Sequence, residues 1–273
     1  MEKIYQVYDS IFKRMFTLSN KAVINAINGL FGTSHSPDSK IDYMNRESIR
    51  KDLKYRFADI FITINDEYRY HLEAQMYHDS SIVVRVFEYG LYHALETRDD
   101  NYTLHFPEPV IIYFGNVGEI PKETSILVDF GNQGSFTYTV KNFAYQDHSI
   151  QELNNRKLIL FIPFQVLRMR DILMPDGDPK DPSKKEIEEL KRILESDILE
   201  SIEANYKAGN ITVDDYHQLC ELTNKLYIQV LLNYEEKGGD TTVKELLPGA
   251  IELPNDVYRI RIDELEEQNG ILT

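Results

Sequence analysis

Two short runs in which apolar and polar residues alternate, separated by three residues that fit neither, constrain this chain more than anything else in it. They read ADIFITINDEYRYHLEAQM, residues 58 to 76. In an extended strand successive side chains point to opposite faces. Ala58, Ile60, Ile62 and Ile64 therefore share one face, as do Tyr68, Tyr70, Leu72, Ala74 and Met76. Burying both sets on one side of a sheet pairs Ile64 with Tyr68, Ile62 with Tyr70 and Ile60 with Leu72, which leaves Asn65, Asp66 and Glu67 as a hairpin loop. That register sets Asp59 directly opposite Glu73, with Gln75 on the same face as Glu73. A two-residue loop would set Ile60 against His71 and Ile62 against Arg69, and the apolar pattern rejects it.

Carboxylates facing each other across a sheet repel, by roughly 3 kcal/mol at about 5 Å and an effective dielectric of about 20. A divalent cation offsets this. Mg²⁺ takes one or two carboxylates from a protein and keeps its remaining positions for water or phosphate oxygens, and so can polarise a phosphoryl oxygen and acidify an attacking water. The other reading of the same spacing is that both acids face solvent, or that one pairs with an arginine of the basic segment at residues 45–57.

Around this hairpin the pattern predicts an α/β chain. A helical period runs from about Ser10 to Phe31 (Ile11, Met15, Leu18, Ala22, Ile27, Phe31), with Asp9 before it as a natural N-cap. After the hairpin, Val84, Phe87, Leu91 and Leu95 form an apolar stripe on a helix from about Ser81 to Glu96. EPVIIYFG, ILVDF, SFTYTV and KLILFIPF supply further strand candidates. Helices interleaved with strands imply a sheet covered by helices. MPDGDPKDP, residues 174 to 182, reads as a linker. Beyond it Ser183 and Glu186 match a capping box, opening a helix with Ile187, Leu190, Leu194, Ile198 and Ile202 on one stripe. Gly209 and Asn210 make a turn, and Tyr216, Leu219, Leu226, Val230 and Tyr234 line a second helix. The expected organisation is a core over residues 1–173, a linker over 174–182 and a helical C-terminal region over 183–273.

Charge narrows the function classes. The net charge of −15 excludes a surface that binds nucleic acid throughout. The balance is uneven: residues 1–150 carry 15 Lys and Arg against 20 Asp and Glu, while residues 151–273 carry 15 against 25. Within the less acidic part, NRESIRKDLKYRF clusters Arg46, Arg50, Lys51, Lys54 and Arg56 immediately before Asp59, either as a solvated charged segment or as a phosphate-binding one. No apolar run approaches the ~20 residues of a membrane span, and MEKIYQVYDS lacks a signal-peptide layout, so a cytoplasmic location without membrane contact is expected. The single cysteine, Cys220, excludes an internal disulfide, and no Cys/His cluster has zinc-ligand spacing. A metal here would be held by oxygen.

DSIFKRMF, ADIFITINDEYRYHLEAQ, VVRVFEYGLYHAL and PVIIYFG resemble, in order and spacing, segments of the bacterial PD-(D/E)XK nuclease family transposases, also called recombination-promoting nucleases. The resemblance covers about residues 5 to 170, and KLILFIPFQVLRMRD is similar to the family's later core segment. It implies a restriction-endonuclease-like core of helix, antiparallel hairpin, strand and flanking helices, followed by a C-terminal helical appendage. It also implies a Mg²⁺-dependent DNA endonuclease, with Mn²⁺ as a substitute ion, that hydrolyses phosphodiester bonds and leaves 5′-phosphates. Asp59 and Glu73 match the acids that hold the metal in this family. Gln75 matches the E-x-Q that this branch carries in place of E-x-K, and would position the attacking water. A lysine there would bring positive charge to the reaction; an amide only donates or accepts hydrogen bonds.

Asp9 and Lys13 match the family's D-x-x-F-K opening. The first is a helix cap or an accessory acid, the second a phosphate contact or a surface lysine. Arg85 and Tyr89, four apart on one helix face, either clamp the DNA backbone or simply pack together. His71 lies on the acidic face as a polar sheet neighbour. Two rival readings stand beside the nuclease: a degenerate nuclease fold that binds DNA or a protein partner without cutting, and an interaction protein that forms a homodimer through the helical pair after residue 183.

Overall fold

The computed structural model describes residues 2–43, 59–77, 79, 81–115 and 118–247. The basic residues Arg46, Arg50, Lys51, Lys54 and Arg56 lie outside them, as does the side chain of Asp59. The chain forms two compact units, Met1–Arg14 with Ser34–Ser149, and Met15–Thr33 with Ile150–Thr273.

The first unit is an α/β layer. Helix α1 (Glu2–Met15) precedes a mixed, open six-stranded sheet built from β1 (Ile41–Tyr43), β2 (Asp59–Ile64), β3 (Tyr68–Gln75), β4 (Glu108–Tyr113), β5 (Glu123–Asp129) and β6 (Ser135–Ala144), in spatial order β1-β2-β3-β4-β6-β5. β1, β2 and β3 are antiparallel, β3–β4 and β4–β6 are parallel, and β5 returns antiparallel on β6. The hairpin register is the one the alternation requires: Asp59 pairs with Glu73, Ile60 with Leu72, Ile62 with Tyr70 and Ile64 with Tyr68. In its loop Asn65 and Asp66 take left-handed φ values of 53° and 61°, which Asn and Asp tolerate better than most residues.

Between β3 and β4 the chain crosses over through helix α3 (Ile82–Glu96), as a parallel connection demands. Ile82, Val83 and Val86 of α3 pack against Ile111 and Tyr113 of β4 and Tyr138 and Val140 of β6, with Phe87, Ile126 and Val128 at the margin. Strand alternation and the β3–β4 register put His71, Glu73 and Gln75 on this same face. The sheet is therefore buried on both faces in its middle. Leu72 is fully buried on one side, and His71 and Glu73 are fully buried on the other.

The second unit is helical: α2 (Asn20–Phe31), α4 (Ile150–Asn155), α5 (Val166–Leu173), α6 (Lys184–Arg192), α7 (Glu200–Lys207), α8 (Val213–Glu236) and α9 (Thr242–Leu246). The Ser183–Glu186 capping box is present in full. A π-helical stretch, Ile193–Leu199, joins α6 to α7 and carries Asp197, which accepts from Arg168 Nη1 at 3.0 Å and Arg192 Nη1 at 2.7 Å. The Pro-rich stretch 174–182 is tied to α8, through Lys237 Nζ donating to Gly177 O at 2.6 Å and Tyr234 Oη donating to Lys180 O at 3.3 Å.

Three local expectations are corrected. The helical period over 10–31 is two helices, broken at residues 16–19, where Ser19 caps α2 by accepting from Ala22 N. Asp9 is then an interior residue of α1 and not an N-cap, because the helix begins at Glu2. KLILFIPF is no strand: Ile159–Gln165 is a 3-10 run whose seven residues are all buried. A continuous apolar run carries no period to separate the two conformations, and Pro163 within it lacks the N–H that a central strand would use.

Candidate active site

Glu73 sits in the middle of the sheet, between β2 and β4, and beneath α3. Its side chain has 0% exposure. That excludes the solvent-facing reading for this acid. Its charge is met from two directions. Gln75 Nε2, two residues along the same face, donates to Glu73 Oε1 at 2.6 Å, and Arg85 Nη2, from the first turn of α3, donates to the same oxygen at 2.8 Å. Glu73 Oε2 has no partner among the described residues and is buried. Burial raises the Glu73 pKa to about 7; Arg85 and then Gln75 pull against that rise, and the charge of Asp9 adds to it. The carboxylate is thus poised to change charge near neutrality.

Arg85 is held from both ends. Besides Glu73 it meets Asp79, whose Oδ2 lies 3.6 Å from Arg85 Nη1. Asp79 is fixed in turn, because its Oδ1 accepts from Ser81 N at 2.9 Å and Ser81 Oγ at 2.7 Å at the start of α3. The guanidinium therefore points into the acidic site, and only 22% of the side chain is exposed. Tyr89 lies one turn further along α3, with its ring 6.4 Å from that of His71. The notion of a plain Arg85–Tyr89 packing pair misses Glu73 and Asp79.

Asp9 and Lys13 form an i,i+4 ion pair on α1, Lys13 Nζ donating to Asp9 Oδ2 at 2.5 Å. Asp9 Oδ1 is buried and has no partner among the described residues. Asp9 thus repeats the pattern of Glu73, one oxygen capped by a cation of the chain and the other bare. The backbone of Asp59 lies directly opposite Glu73. Bare, buried carboxylate oxygens suit a hard divalent ion, which takes oxygen ligands. Among the described residues no group of three or more His, Cys, Asp or Glu side chains could hold a metal.

His71 is more than a polar sheet neighbour. It is fully buried, and its ring stacks on Phe61 at 4.1 Å, as that of His93 does at 5.1 Å. Neither ring nitrogen of His71 has a partner among the described residues, and burial first, then the neighbouring charges, lower its pKa to about 3. His93 falls to about 4, chiefly by burial. Both are neutral at pH 7. Asp79 and His93 escaped the sequence reading. Asp79 had a signal, an Asp two residues before Ser81 at a predicted helix start; His93 had none, because its role depends on which strand lies beneath the helix.

No protein-family model matches the chain, and neither the curated proteins nor the solved structures contain a significant match to it.

Proposed function

We propose that this chain is a Mg²⁺-dependent DNA endonuclease with a restriction-endonuclease-like core, of the transposase or recombination-promoting type. The observation that carries the reading is Glu73: a fully buried carboxylate with one bare oxygen, opposite Asp59 in the register and beside Gln75. A carboxylate is costly to bury uncompensated, and a chain that only needed a packed strand would place an apolar residue there. The order of elements also fits, with a helix, an antiparallel hairpin, a helix and a strand parallel to the second hairpin strand. When bound, Mg²⁺ supplies Lewis-acid polarisation of the phosphoryl oxygen and a more acidic water.

The chain's own residues would do the rest. Asp59 and Glu73 would hold the ion, with Asp9 as the accessory acid. Gln75 would orient the attacking water, with its amide already fixed on Glu73. Arg85 supplies the positive charge that a glutamine in the E-x-Q position lacks, while Lys13, Tyr89 and the basic stretch from Arg46 to Arg56 would meet the DNA backbone.

The second reading, a nuclease fold that binds DNA or a protein without cutting, is favoured by the Glu73–Arg85 pair, which neutralises the acid without a metal. Supercoiled plasmid with Mg²⁺ separates the two. Nicking by the wild type that disappears in Asp59→Ala and Glu73→Ala is expected; nicking that survives both substitutions removes this site from the chemistry, and a wild type that never nicks while still binding DNA selects the second reading.

A further inference from the structure

β5 closes one edge of the six-stranded sheet, and among the described residues no strand pairs with its outer side. It runs for seven residues, Glu123–Asp129, and pairs with β6 along its whole length without a bulge. Asn142 N donates to Lys122 O at 2.8 Å and Phe130 N to Gly134 O at 2.9 Å. In this antiparallel pair Thr124, Ile126 and Val128 therefore bond to β6, and the N–H and C=O groups of Glu123, Ser125, Leu127 and Asp129 point outward. Proteins usually blunt such an edge with Lys, Pro or a bulge. ETSILVD has none of these.

The edge is also apolar at its middle. Leu127 is 67% exposed, and Phe130 and Phe136, at the hairpin end, are each 60% exposed. On the opposite face Ile126 and Val128 are only partly covered by the cluster beneath α3. Grouped exposed apolar side chains of this kind mark an interaction surface. The acids of the strand, Glu123 and Asp129, stand at its two ends.

The strand is complementary to itself. Laid antiparallel on its own copy about a two-fold axis through Leu127, it sets Leu127 against Leu127 of the second copy, Ser125 against Asp129, and Ile126 against Val128. An axis through Ile126 would set Glu123 against Asp129, and like charges directly opposite destabilise a strand pair. An axis through Val128 would set Leu127 against Asp129. Charge and apolar pattern thus select one register. Phe136, the β6 partner of Val128, lies on the same face as the Ile126–Val128 contact and widens the apolar seam.

We propose that β5 is a dimerisation edge whose occupant is β5 of a second copy of this chain, paired antiparallel about Leu127 so that one sheet runs through the dimer. The proposal does not depend on the metal-dependent reading, and it places the contact on the first unit and not on the helical pair after residue 183. A single strand edge is small beside the interfaces of permanent dimers, so association in the micromolar range is expected.

Sedimentation velocity of the full chain over about 1–100 µM tests it, and a monomer–dimer equilibrium is expected. Leu127→Lys, at a position exposed in the single chain, should weaken dimerisation about tenfold or more by setting two cations against each other, with the thermal unfolding of dilute protein unchanged. Ser125 reports the register. Ser125→Asp, facing Asp129 of the second copy, should weaken dimerisation about threefold or more, whereas Ser125→Lys should preserve or strengthen it. Both variants lose the Ser125–Thr139 hydroxyl contact at 2.8 Å, so their difference reads charge alone. A wild type that stays monomeric overturns the proposal; β5 amides protected from hydrogen exchange in that monomer would show that something other than a second copy covers the edge. A dimer indifferent to Leu127→Lys overturns it by placing the contact elsewhere, and a dimer weakened equally by both Ser125 variants overturns the pairing about Leu127.

Discussion

Burial favours the protonated form of Glu73, and Arg85 is the largest influence holding its pKa down. Its folded pKa of about 7 lies above the ordinary glutamate value of 4.5. As pH rises from that ordinary value through about 7, the unfolded chain gives up this proton before the folded one does, so the contribution of Glu73 to stability is lost over that window. Arg85→Ala deepens the loss. At pH 8.5 it should cost about 3 kcal/mol, the lower end of the range for breaking a buried pair, since Arg85 is partly exposed. Near pH 6 the cost should be much smaller, because Glu73 is then protonated in both proteins. Urea denaturation at the two pH values checks this, and equal costs would mean that the ion pair is not what Arg85 supplies. The comparison should stay no lower than pH 6. His71 and His93, neutral when folded with pKa values of about 3 and about 4, lose stability of their own as pH falls below 6.5. Little of this was legible in the sequence. Alternation put Glu73, Gln75 and His71 on one face, but that the face is covered, and by the helix carrying Arg85, depends on β4 lying parallel beside β3.

The hairpin was legible at the scale of elements because its information is local: two alternating runs and a loop admit one register that buries every apolar residue. Helix boundaries were less so. The break between α1 and α2 has neither Gly nor Pro, and its cap is one serine. KLILFIPF misled for the opposite reason, since a fully apolar segment looks the same whether it is buried as a strand or as a tight helix. The far end of the site depends on how β3 and β4 finish. Phe114 N donates to Gln75 O at 2.9 Å, extending the ladder past the last paired residues. At the next position Gly115 passes so close to β3 that an added Cβ would lie 1.8 Å from Met76 O. The clash is with backbone, so no side-chain rotation relieves it. Gly115→Ala should therefore push the two strand ends apart beside Gln75, at a cost of about 2–3 kcal/mol, and should reduce Mg²⁺-dependent nicking more than a surface substitution of equal destabilisation. Thermal unfolding and nicking measured together decide it; a variant as stable as wild type would mean that the strands can part there without cost.

At the scale of the whole molecule, chain position and compactness part company. Composition and the linker-like MPDGDPKDP favoured a cut near residue 173. In the second unit, however, α2 and the segment after Ile150 belong with the C-terminal helices. Asp215 of α8 accepts from Ser19 N at 2.8 Å and from Ser19 Oγ at 2.5 Å, while Asn25 Nδ2 donates to Asn210 O at 2.9 Å. No local pattern announces such bonds, which join residues almost two hundred positions apart, so this organisation was not readable from the chain. It carries a consequence for truncation. A chain ending at residue 182 keeps every strand among the described residues and α3, yet loses α6, α7 and α8 from the unit that buries Ile24 and Ile27 of α2, Leu160 and Phe161 of the 3-10 run, and Leu167 and Met169 of α5. Burial of side chains of this size is worth about 1.5–3 kcal/mol each, so exposing all six would cost about as much as a domain's whole net stability of roughly 5–15 kcal/mol. The truncated chain should bind a hydrophobic dye strongly, aggregate at micromolar concentration and lose the cooperative unfolding of the full protein. Should it instead remain monomeric with a sharp transition and native-like circular dichroism, the first unit together with α1, α2 and residues 150–182 would be a self-sufficient fold, and the C-terminal helices an appendage after all.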